Sequence, residues 1–284
     1  MKVIEVNGVK LHVEENGTGP AVVLVHGIPT DYRVWRPQVD ELSKRHRTIS
    51  YSRRCAFPNQ YDEYAKSTIE NNTTDLEVLV AGTVGGPASL VGHSYGGPIA
   101  ALYALRNPEL VCSLVLIEPY LPGILVDQQG TLGNISLLIR KPSVALSGAR
   151  SLNSIKMTQQ EVANKNPEKA LDTYYSSTWE GRKPKVQLSS SMRAMMLDNM
   201  ETFRELLTGV PPFNSENAER IVPPTLIVSG ERTTKYMRGV AMELHRTIPN
   251  SQLATIQNAS HYPHIENPEE CSAKILAFFS EHAC

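Results

Sequence analysis

Aspartate runs out early in this chain. Of the 29 acidic residues among 284, 7 are Asp and 22 are Glu, and no Asp lies beyond Asp198. Beyond Asp198 only glutamate side chains supply a negative charge. A positive surplus is lacking too. The 28 Lys and Arg leave a formal net charge of −1, too little cationic excess to neutralise a phosphate backbone, which argues against nucleic acid as a partner. No apolar run approaches the roughly 18 residues that cross a bilayer, so no membrane partner is expected. Met1 to Val13 alternates apolar and polar residues around Asn7-Gly8, reading as a hairpin rather than the apolar stretch of a secretion signal. The four cysteines, Cys55, Cys112, Cys271 and Cys284, have no CxxC or metal-type spacing. They are expected to be free thiols in a reducing compartment, and the chain a soluble cytoplasmic protein.

What is present alternates strand and helix. Lys2–Val6 and Val9–Glu14 flank the Asn7-Gly8 turn, and Ala21–Val25 is a continuous, largely β-branched run, as a strand buried on both faces requires. A helical pattern from Asp31 to Lys44, a strand at His46–Tyr51, a helix from Ser67 to Ala81, a strand at Ala88–Val91 and a strand at Val111–Ile117 follow. This rhythm predicts an α/β fold with a mostly parallel central sheet flanked by helices. From Leu121 to about Val222 it stops, giving way to helical patterns rich in Ser, Asn, Lys and Met. It resumes with the strand Thr225–Ser229 behind Pro223-Pro224. The expected organisation is a core of residues 1–120 and 222–284 with a helical cap inserted at 121–221.

Two motifs carry chemistry. Gly92-His93-Ser94-Tyr95-Gly96 matches the nucleophile elbow G-x-S-x-G and lies where a strand passes into a helix. Such a turn forces Ser94 into a strained backbone and presents its hydroxyl at a helix amino terminus, where exposed amides stabilise negative charge. The general base is expected on a loop after the last strand, Gln252–Ile256. Of the two histidines in Ala259-Ser260-His261-Tyr262-Pro263-His264, His261 lies at the loop tip and is assigned as base, whereas His264 packs or caps. His261-x-x-His264 lacks the further clustered ligands a metal needs, so no metal or organic cofactor is expected.

These motifs, together with His26-Gly27-Ile28-Pro29 and Glu266-Asn267-Pro268-Glu269, resemble in order and spacing an α/β-hydrolase-fold enzyme with a cap domain. That group includes esterases, lactonases, C–C hydrolases, epoxide hydrolases and haloalkane dehalogenases. The resemblance implies an oxyanion hole from the backbone N–H groups of Ile28 and Tyr95. A cis Ile28-Pro29 peptide fits so tight a loop. His26 reads chiefly as a supporting histidine and is kept among the candidate substrate contacts.

The resemblance also implies a triad acid, normally an Asp in a Gly-x-x-Asp pattern after the strand Thr225–Ser229. The segment here is Gly230-Glu231-Arg232-Thr233, and Thr233 carries no charge. Two glutamates stand in reserve. Glu231 is expected to be structural. Glu118 ends the apolar strand Val111–Ile117, where desolvation requires a partner, and some relatives place their acid at that strand. The assigned triad is Ser94–His261–Glu118.

A serine nucleophile disfavours the dehalogenase and epoxide hydrolase activities of this fold, which the resemblance associates with an aspartate nucleophile. It favours acyl transfer to water. The expected function is hydrolysis of a small to medium, largely apolar carboxylic ester or lactone, with a small molecule as partner and a monomer or homodimer as the working state. C–C or amide hydrolysis and cofactor-free perhydrolysis use the same triad, and a slow-turnover ligand receptor is a further alternative. In the cap, Met192, Met195, Met196 and Met200 fall on one helical face that either packs on the core or roofs the pocket. Tyr174, Tyr175, Trp179 and Phe213 are equally two-sided. Met192, Met196, Trp179, Tyr120 and Tyr262 are the candidate substrate contacts, and Arg53-Arg54 reads as structural before it reads as a carboxylate clamp.

Overall fold

The β-branched runs of the sequence assemble into one eight-stranded sheet. The computed structural model describes residues 1–59, 66–126, 131–180, 188–206, 213–282 and 284. In it β1 (Lys2–Val6) and β2 (Val9–Asn16) form an antiparallel hairpin over Asn7 and Gly8, both at positive φ. The hairpin continues into β3 (Ala21–Val25), α1 (Arg36–Leu42), β4 (Arg47–Tyr51), α2 (Ile69–Thr83), β5 (Ala88–His93), α3 (Gly96–Arg106) and β6 (Val111–Ile117). The helix expected from Asp31 is divided: a single 3₁₀ turn at Tyr32–Trp35 precedes α1, whose first turn holds Pro37. Proline has no N–H to continue a helix but suits its first turn.

The sheet order is β1-β2-β4-β3-β5-β6-β7-β8, with β7 at Thr225–Gly230 and β8 at Ser251–Ile256. Only the pairs β1/β2 and β2/β4 are antiparallel. Every residue of β3, β5 and β7 is buried, which is why β3 reads as an unbroken apolar run and the other two as apolar segments broken only by small or polar residues. Parallel pairing puts the carboxyl ends of β3, β5, β6 and β7 along one edge, and the loops leaving that edge carry the chemistry.

Between β6 and β7 lie α4 (Thr131–Arg140), α5 (Pro142–Ala163), α6 (Pro167–Ser177), α7 (Ser190–Asp198) and α8 (Ser215–Glu219), with no strand among the described residues there. After β7 come α9 (Lys235–Thr247), then, beyond β8, α10 (Pro263–Glu266) and α11 (Pro268–Glu281). No helix of the described residues is long and apolar enough to cross a membrane.

One expectation is corrected. The four cysteines are not all free: Cys112, at the start of β6, is disulfide-bonded to Cys284, with their Cα atoms 5.1 Å apart. Cys55 and Cys271 are buried and take no part in a disulfide. The pair is separated by 172 residues, and linear spacing says nothing about thiols that tertiary folding brings together.

Candidate active site

At the end of β5 the chain turns sharply into α3, and Ser94 occupies the turn with φ +50°. The glycines around it are demanded by close backbone. A Cβ on Gly96 would sit 2.1 Å from the Val25 carbonyl oxygen, and one on Gly92 would sit 2.5 Å from that of Gly96. The strained serine is held by its N–H to Ile117 and its carbonyl from the N–H of Tyr120.

The Ser94 hydroxyl lies 3.0 Å from Nε2 of His261, on the loop after β8. On the far side of that ring, Nδ1 is 3.4 Å from Oε2 of Glu118. Glu118 follows β6 directly, has φ +45° and is 1 % exposed. Its carboxylate is well supplied with donors. Oε1 accepts from Ser229 Oγ at 2.9 Å and from the Gly230 N–H at 2.8 Å, and Oε2 accepts from Thr233 Oγ1 at 2.6 Å. Thr233, standing where an aspartate was expected, therefore donates its hydroxyl to the Glu118 carboxylate. Glu231 lies elsewhere, accepting from the Asn258 N–H with its side chain 45 % exposed.

The loop carrying His261 is fixed from several sides. His93 donates from Nε2 to the His261 carbonyl at 2.8 Å, and Glu266 accepts from both the N–H and the hydroxyl of Ser260. His93 and His264 are fully buried with ring centroids 4.3 Å apart, and His264 also packs on Trp35 at 4.9 Å. Burial pushes the His264 imidazole down to about 3 and that of His93 well below its ordinary value. Both stay neutral beside His261. Burial also raises the Glu266 carboxyl above its usual range. Sequence reasoning missed His93 as a support, although it is the variable residue before the serine in the elbow.

His26 faces away from the cavity. Its Nδ1 donates to the Gly27 carbonyl at 2.8 Å and Nε2 accepts from the Arg53 N–H at 2.9 Å. Arg53 in turn donates to the carbonyls of His26 and Gly27 and lies over the Tyr95 ring, while Arg54 pairs with buried Asp75. Arg53 braces the loop bearing Ile28, whose peptide bond to Pro29 is cis. The Ile28 carbonyl accepts from the hydroxyls of Tyr174, at 3.3 Å, and Tyr262, at 3.5 Å, tying α6 to the sheet edge. Tyr262 thus supports the site and does not line its cavity.

The cavity at Ser94 has a volume of about 60 Å³, and its walls include Ile28, Tyr120, Ile155, Tyr174, Thr178, Leu206, Tyr236 and His261. Of the candidate substrate contacts, Tyr120 is in this wall. Met192, Met196 and Trp179 are not in this wall. Met192 faces a separate cleft beside Arg33 and Arg36, and Met196 is wholly buried. The methionine face packs as core, whereas the walls come from α5, α6 and α9, whose contributions (Ser151, Ile155, Thr178, Tyr236, Met237) are too scattered to form a recognisable pattern. Among the described residues no cluster of three His, Cys, Asp or Glu side chains could hold a metal ion.

Residues 22–274 match the alpha/beta hydrolase family. The chain is 25% identical to 2-(acetamidomethylene)succinate hydrolase of Mesorhizobium japonicum, over 94% of this chain and 90% of that protein. It is 23% identical to epoxide hydrolase 3 of Xenopus tropicalis, over 97% and 76% respectively. Among solved structures, a bromoperoxidase from Bacillus anthracis superposes with a TM-score of 0.76 at 23% identity, covering 96% of each chain. A thermophilic esterase from Thermogutta terrifontis gives 0.74 at 21% identity, covering 100% of each. With the family match over nearly the whole chain and the eight-stranded sheet beneath it, the protein belongs to the alpha/beta hydrolase family and is a hydrolase.

Proposed function

We propose that this hydrolase cleaves a carboxylic ester or lactone through an acyl-enzyme on Ser94. The observation that carries the proposal is the 3.0 Å contact between Ser94 Oγ, held at positive φ, and His261 Nε2. His261 takes the hydroxyl proton as Oγ attacks the carbonyl carbon, and the oxyanion is received by the backbone N–H groups of Ile28 and Tyr95. His261 then passes the proton to the leaving alcohol. Water, deprotonated by the same ring, cleaves the acyl-enzyme and restores Ser94. Glu118 keeps Nδ1 protonated and stabilises the imidazolium. Residues 121–221 serve as the cap over this centre, and the partner is a small molecule. Serine in place of a carboxylate nucleophile supports acyl transfer over opening of an epoxide.

The test is labelling with a fluorophosphonate probe together with turnover of p-nitrophenyl acetate. Rapid labelling that Ser94→Ala abolishes, with turnover falling by at least about a thousandfold in the variant, is the expected result. Labelling followed by a single round of product release would instead indicate a receptor, and no labelling would defeat the proposal.

A further inference from the structure

Resting on this esterase reading, we infer that the substrate is an ester with an extended hydrocarbon tail, lodged in a second cavity between α4, α5 and α9. The first observation is one of size. At about 60 Å³ the space at Ser94 is less than half the size of an apolar cavity that accepts benzene, so it admits the reacting group and little else. The second is continuity. A cavity of about 510 Å³ shares Tyr120, Ser151, Ile155 and Tyr236 with the wall of the first. It is roughly three times the size of an apolar cavity that accepts benzene.

Its chemistry selects the occupant. Beyond the shared residues the walls are Pro122, Leu137, Leu138, Ala145, Leu146 and Leu152, with their small neighbours on α5, and none carries a charge. The mouth is apolar as well: Leu138, Leu146 and Leu152 are 49 %, 55 % and 43 % exposed. Polar groups occur where the two spaces meet. The hydroxyls of Tyr120 and Tyr236 have no hydrogen-bond partner among the described residues, and burial raises both phenols above their ordinary range. The arrangement suits an amphiphile whose polar end stays at Ser94 and whose chain runs out past the two tyrosines. Each methylene withdrawn from water there is worth up to about fourfold in binding.

The experiment compares kcat/KM along two homologous series, p-nitrophenyl acyl esters from acetate to decanoate and acetate esters of alkanols of the same lengths. A rise of at least tenfold with length is expected in one series. The series that rises identifies the tail as belonging to the acyl group or to the alcohol. Ala145→Phe, which fills the second cavity, and Leu146→Asp, which places a charge at its half-exposed wall, should each cut the ratio of long-chain to short-chain kcat/KM at least tenfold. Fluorophosphonate labelling of Ser94 confirms that the site of each variant is assembled. Flat profiles in both series, or ratios unchanged in both variants, overturn the cavity assignment while the esterase reading stands. A wild-type protein that neither labels nor turns over any ester removes both.

Discussion

Glu118 reaches His261 from one strand earlier than the expected aspartate would, and the longer side chain spans the difference. What makes this workable is the ring of donors around it: Ser229, Gly230 and Thr233 together place three hydrogen bonds on a carboxylate that is 1 % exposed. A buried carboxylate without such donors would carry a heavy desolvation cost. Glu118→Gln should lower kcat by roughly 10³- to 10⁴-fold, as expected when an amide replaces the acid that fixes the imidazole tautomer. Thr233 Oγ1 lies only 2.6 Å from Oε2, so an aspartate at 233 would put a carboxylate in nearly the same place. Adding Thr233→Asp to Glu118→Gln should therefore recover at least tenfold in kcat. A double variant no better than Glu118→Gln alone would show that the acid cannot be relocated. At this scale the sequence was most legible where chemistry restricts residue type. The elbow glycines, Ser94, His261 and the absence of a late aspartate all point to themselves. The supports do not, because His93, Tyr174 and Thr233 act through contacts made by residues far apart in the chain.

At the scale of elements, the helical segment is fastened to the sheet edge by a buried polar knot. Asp31, fully buried, accepts from Arg33 and from Asn199 Nδ2 at 2.7 Å, and Asn199 Oδ1 accepts from the Phe57 N–H at 2.8 Å. Arg33 also reaches Asp198 at the end of α7, and its guanidinium lies 4.3 Å from the Phe57 ring centroid. Asn199→Leu would strand the Phe57 amide and leave the Asp31 oxygen with Arg33 as its remaining donor. The expected loss is about 1–3 kcal/mol, seen as a fall of several degrees in Tm by calorimetry. An unchanged Tm would mean that the knot contributes nothing net. The central strands were readable because burial on both faces leaves a largely apolar segment, and the strand ends moved by no more than two residues. The helices over the site were not assignable to walls. Which face of a helix looks into a cavity depends on how it docks, and Met192 and Met196 show a regular face turned towards packing instead.

Taken as a whole, the molecule stores several imidazoles in places where they cannot take a proton. His26, His93 and His264 are fully buried, and burial depresses all three below the value of a free histidine. Between the folded values and about 6.5 the unfolded chain binds more protons than the folded one, so stability rises with pH across this window and is lost as pH falls through it. Each group adds up to about 1.4 kcal/mol per pH unit. Glu266, raised by burial, acts in the opposite sense near the carboxylate range, as one group against three. Urea denaturation should give clearly lower stability at pH 5 than at pH 7, and His264→Phe should flatten the dependence by about one proton. A level profile over that interval would contradict the burial argument. Neither this sensitivity nor the joined cysteines could be read from composition, since both are properties of enclosure and proximity. The Cys112–Cys284 bond has a topological consequence. The ring it closes encircles the helical insert together with β7 and β8, and any backbone cut between Cys112 and His261 divides Ser94 from His261 in sequence without releasing either fragment. The two halves of the proposed catalytic centre would remain on one covalent object, able to find each other again as neighbours rather than as strangers in solution.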